Sequence, residues 1–77
     1  MITKLPEKKG IIGVKEIVKA IDNGKVKIVI VANNCPGFLI DKIKGKGVNI
    51  DVFDGDEERL GTALGKPFPI AMVGYEN

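Results

Sequence analysis

Residues 26–32 read VKIVIVA and run into NNCPG at 33–37. From Ile28 to Val31 every side chain is β-branched, and with Ala32 the run has no polar face to leave in water. A strand of this kind is covered on both sides, as at the centre of an α/β sheet, whereas a strand with one wet side alternates. Asn33, Asn34, Pro36 and Gly37 then stop it, since Pro has no amide to donate and Asn and Gly favour turns. The strand therefore ends at the carboxyl edge of a sheet, where α/β proteins gather ligand contacts. There Asn34 presents an amide side chain with both a donor and an acceptor.

On the amino-terminal side, Val14, Ile17, Val18 and Ile21 fall at i, i+3, i+4 and i+7, opposite Lys15, Glu16 and Lys19. This is one apolar stripe of a helix spanning about 13–23, with Gly24 able to take the left-handed turn that ends it. Beyond Gly37, residues 38–44 predict a short helix closed by Gly45 and Gly47, and residues 48–53 a second, more exposed strand. Strand, helix and strand at this spacing predict a parallel crossover. Asp54 and Asp56 are N-cap candidates for a helix that continues to Gly65, and Glu57 and Glu58 suit the positive end of its dipole. Residues 68–73 predict a last strand, its beginning pushed to an edge or loop by Pro67 and Pro69. Helices alternating with strands predict an α/β/α sandwich. Residues 1–9, with Pro6 and three lysines, read as a loose basic lead-in, and residues 10–77 as one domain.

At 77 residues, the chain buries only about 60% of the surface it exposes when unfolded, leaving little room for an internal cavity. Its longest apolar run is far short of the roughly 20 residues of a spanning helix, so no membrane is expected. The beginning, MITKLPEKKG, lacks the apolar stretch of a signal peptide, and one cysteine cannot form an internal disulfide or a thiolate metal site. These features predict an intracellular protein without metal or cofactor. Net charge is +2, yet residues 1–50 hold ten lysines against four acids and residues 51–77 hold two basic residues against six acids. Such asymmetry suits either a basic face for phosphate or a lysine-rich solvated surface.

Catalysis finds little support. There is no histidine to act as base or to partner a cysteine nucleophile. Cys35 lies before the short helix, whose dipole would lower a thiol's pKa, but a small packing residue is the simpler reading. The acids from Asp51 to Glu58 lack calcium-loop spacing. Gly61 to Lys66 has one residue too few between its glycines for a phosphate-binding loop, and Pro67 follows the lysine. Gly13, opening the first helix near Lys15 and Lys19, is a better phosphate site.

Three blocks, GVKEIVKA (13–20), NGKVKIVIVANNCP (23–36) and LGTALGKPF (60–68), resemble the signatures of the kink-turn RNA-binding ribosomal family that includes L30e and L7Ae. The ANNCP and LGTALGK elements point to the L30e branch, and Lys15 stands where the L7Ae branch has asparagine. The resemblance implies a three-layer α/β/α sandwich with a mixed sheet of about four strands. It implies a non-enzymatic RNA-binding protein, cytoplasmic and on the ribosome, with large-subunit proteins as further neighbours and no small-molecule substrate. Gly13, Lys15, Glu16 and Lys19 would meet the RNA at the start of the first helix, Asn33 and Asn34 after the central strand. Gly65, Lys66 and Phe68 would hold a flipped-out base, with Phe68 against its face. Departures from the pattern are a leading helix reduced to the lead-in, a missing last helix, a shortened middle helix, Leu39 where that branch often has a basic residue, and Pro69 in place of arginine. They leave a second expectation, a protein-interaction or homodimer module that keeps the fold without the RNA site.

Overall fold

The computed structural model describes residues 1–76. In chain order it contains β1 (Ile11–Ile12), α1 (Val14–Asp22), β2 (Val26–Val31), α2 (Gly37–Ile40), β3 (Asn49–Val52), α3 (Glu57–Ala63) and β4 (Met72–Glu76). The four strands form one sheet in the order β1-β4-β2-β3. β3 runs parallel to β2, while β4 is antiparallel to both β2 and β1. The sheet is therefore mixed, as expected, and β2 occupies an interior position.

Both faces of β2 are covered, for the reason visible in its composition. Val29 and Val31 pack under α1 with Ile17, Ala20, Ile21 and Ile43. Ile30 and Ala32 face the other way, onto Leu60 of α3 with Phe53, Ile70, Val73 and Tyr75. A shift of register between Val26 and Ile28 adds one residue to β2 opposite β4. Because side chains alternate along a strand, this bulge turns Val26 to the α1 face, where it is buried, and leaves Lys27 exposed. The layers are thus α1 and α2, the sheet, and α3.

Four sequence expectations need correcting. The last strand begins at Met72 rather than Phe68, because Pro67 and Pro69 keep residues 67–71 outside the ladder, and it lies inside the sheet. The middle helix is regular only over 37–40 and gives way to turns through Gly45, with Ile43 alone reaching deep into the core. β1 was not foreseen. The lead-in is anchored: the Ile2 N–H donates to the Val52 carbonyl at 2.8 Å, and the Ile2 carbonyl accepts from Asp54 N–H at 2.7 Å. Ile2 and Leu5 also pack against the α3-side cluster, and the Lys8 ammonium donates to the Glu76 carbonyl.

Candidate functional site

Strand direction decides what meets at the sheet's end. β1, β2 and β3 point the same way and β4 the opposite way, so the start of α1, the loop after β2, the start of α3 and the loop before β4 share one end. The residues singled out in all three sequence blocks lie in or beside these segments, except Lys19, which is in the last turn of α1.

α1 opens at Gly13, whose φ of +94° and ψ of +118° suit glycine and strain any other residue. Its carbonyl accepts the first helical bond from Ile17 N–H at 2.9 Å. Across from Gly13 stands the loop before β4, and the two sides enclose a groove of about 280 Å³ lined by Ile12, Gly13, Val14 and residues 68–72. A second depression of about 290 Å³ lies on the α3 side, between Glu58, Thr62 and residues 66–69. Phe68 borders both and is 48% exposed, a costly placement for a phenyl ring unless something covers it.

The Phe68 loop is held from three directions. Ala32 N–H donates to the Ala71 carbonyl at 2.8 Å, and Ile70 N–H to the Glu57 carbonyl at 3.0 Å. Gly61 supplies the third: a β-carbon there would lie 2.0 Å from the Phe68 carbonyl oxygen, so only glycine lets the loop rest on α3. Gly65 takes φ +73° and, with Lys66, is exposed after the helix.

Asn34 has a role that its sequence position did not disclose. Its Oδ1 accepts the Glu57 N–H at 2.9 Å, while Asp56 Oδ1 accepts from Arg59 N–H at 2.9 Å. Two orphan donors of α3 are thereby satisfied, one by the N-cap and one from another loop. Asn33 is exposed, its N–H donating to the Gly55 carbonyl at 2.9 Å.

The expected residues do not form one pocket. Gly13 and Phe68 share a groove, and Lys66 and Phe68 share another. Lys15 instead lines a groove with Lys42 and Lys46 of the turns after α2, while Glu16 and Lys19 are exposed along α1. Lys15, Lys19 and Lys66 form no ion pair among the described residues. Leu39 is half-buried against the α1-side cluster, so its position serves packing. Ile12 and Ala71, walls of the Gly13 groove, carried no signal beyond being apolar. Burial pushes the Cys35 thiol above its ordinary value, helped by the Glu57 carboxylate, which is the reverse of an activated nucleophile. Among the described residues no cluster of His, Cys, Asp and Glu is placed to hold a metal, and no helix is long and apolar enough to cross a membrane.

Residues 3–77 match the model of the ribosomal protein L7Ae/L30e/S12e/Gadd45 family. The chain belongs to that family. Its L30e branch is indicated by relatives named large ribosomal subunit protein eL30. The Archaeoglobus fulgidus protein is 45% identical over 62 residues, covering 80% of this chain and 72% of the relative. The Methanosarcina mazei protein is 38% identical over 65 residues, covering 84% of this chain and 63% of the relative. Among solved structures, a Bacillus halodurans protein of unknown function superposes with a TM-score of 0.75 at 26% identity, covering 88% of this chain and 71% of that one. The Giardia lamblia 15.5 kD RNA binding protein superposes with a TM-score of 0.70 at 23% identity, covering 88% and 60%, and shows the shared L7Ae/L30e fold.

Proposed function

We propose that this L30e-branch protein binds RNA at the loop end of its sheet and recognises a kink-turn, a helix bent at an internal loop, in ribosomal or related RNA. The observation that carries the reading is the convergence on one end of the sheet of Gly13, Asn34 and Phe68, which lie far apart in the sequence. Relatives named as large-subunit ribosomal proteins support a place on the ribosome in the cytoplasm and a structural rather than catalytic role. RNA is read where bases are unstacked, and a half-exposed phenyl ring flanked by two depressions suits a base turned out of its helix. Gly13 lets the backbone of a bend approach closely, Glu16 faces the same end, and Lys15, Lys19 and Lys66 supply charge for phosphates. The exposed Asn33 and the free amino group of Asn34 supply donors beside them.

The test is gel retardation or calorimetry with a panel of kink-turn RNAs and ribosomal RNA. Binding should weaken steeply with added salt, because lysines displace counterions. Phe68→Ala should cost roughly 1–3 kcal/mol, the worth of one stacked base, and Lys15→Ala should lower both affinity and salt dependence. No retardation of any of these RNAs at low salt would refute the reading.

A further inference from the structure

We infer that the groove between α1 and the turns that follow α2 is a phosphate track, which carries the RNA backbone from the loop end of the sheet down one side of the protein. The inference rests on the RNA-binding reading and extends it to Lys42 and Lys46, outside the three sequence blocks. The groove, about 600 Å³, is lined by Val14, Lys15, Val18, Lys42 and Lys46. It adjoins the Gly13–Phe68 groove at Val14, which borders both. Its α1 wall starts at Val14, the residue that follows Gly13. It reaches the far end of α1, where Lys46 Nζ meets Asp22 Oδ1 at 2.9 Å. The α1 residues that line it, Val14 to Val18, span about 6 Å at a rise of about 1.5 Å per residue.

Its chemistry selects an extended polyanion. Three lysines line an apolar floor of half-buried Val14 and Val18, and no carboxylate lines it with them. Lys15 and Lys42 have no ion-pair partner among the described residues, and Asp22 answers only Lys46. Lysines spread for solubility alone would not need to line one cleft. Its place beside the Gly13–Phe68 groove favours an RNA strand over an acidic protein segment.

The experiment measures affinity for one kink-turn RNA with extended flanking helices, from 0.05 to 0.5 M salt, with the full chain and folding checked by circular dichroism. Lys42→Gln with Lys46→Gln should reduce the slope of log affinity against log salt by about 1.4–1.8, and lower affinity at 0.1 M roughly 25- to 60-fold when scaled from 1 M. Asp22→Asn, which frees Lys46, should do the opposite and tighten binding, an outcome that damage to the fold cannot mimic. A control pair, Lys4→Gln with Lys8→Gln, lies on the lead-in that packs against the α3-side cluster, the opposite face of the sheet, and should leave the slope nearly unchanged. If the Lys42/Lys46 pair leaves wild-type-level binding intact, or the control weakens it equally, the track is overturned while the RNA reading stands. If the wild-type chain binds no RNA, the RNA reading itself falls.

Discussion

The Asn34 side chain ends in one acceptor and two donors, and the folded chain takes the acceptor: Oδ1 receives the Glu57 N–H. Only the amino group remains to be offered outward. Asn34→Ala confuses the two roles, because it removes the donors and also uncaps α3, a loss of about 1 kcal/mol. Asn34→Asp separates them. A carboxylate still accepts from Glu57 N–H and suits the positive end of α3, but it donates nothing and repels phosphate. The expected outcome is a melting temperature close to wild type with at least tenfold weaker RNA binding; equal RNA affinity would confine Asn34 to capping. Sequence alone disclosed that an amide stands at the end of a buried strand. It did not disclose that α3, 23 residues further on, already uses half of it.

Among the elements, α1 and β2 were legible because each carries a period: 3.6 residues in the stripe from Val14 to Ile21, and unbroken β-branching from Ile28 to Val31. β1 was not, since two isoleucines have no period, and they pair only because Gly74 and Val73 arrive opposite them. The last strand was displaced because Phe68 and Ile70–Val73 look continuous, although residues 67–71 are held in a loop by bonds to Ala32 and Glu57. α3 shows what that loop demands. In an ordinary helix interior, replacing Gly by Ala gains about 0.5–1 kcal/mol. At Gly61 the sign should reverse, because the new methyl group meets the Phe68 carbonyl, and overpacking of this kind costs about 1–3 kcal/mol. Gly61→Ala should therefore lower the melting temperature and, by moving Phe68, also weaken RNA binding; a stabilised variant with full affinity would show that the loop does not depend on this contact.

For the molecule as a whole, two groups link the fold to alkaline pH. Burial pushes up the Tyr75 phenol, whose hydroxyl has no hydrogen-bond partner among the described residues, and burial with Glu57 pushes up the Cys35 thiol. Both folded values lie above the ordinary ones of 10.0 and 9.0, so folding favours the protonated forms. The resulting stability is complete below about pH 9 and is lost as pH rises through the folded values. Denaturant titrations should show a decline above pH 9, and Tyr75→Phe should flatten it. At pH 7 that variant should be as stable as wild type or more so, because an unpaired buried hydroxyl costs about 1–3 kcal/mol; a destabilised Phe variant with an unchanged alkaline decline would overturn the assignment. The strand order also has a temporal side. β1 and β2 are neighbours of β4 and not of each other, so nothing in the sheet joins residues 11–12 to residues 26–31 until residues 72–76 have been made. A nascent chain still short of β4 has its first helix and its aromatic loop unclamped, so the proposed RNA site is assembled only when that strand closes the sheet.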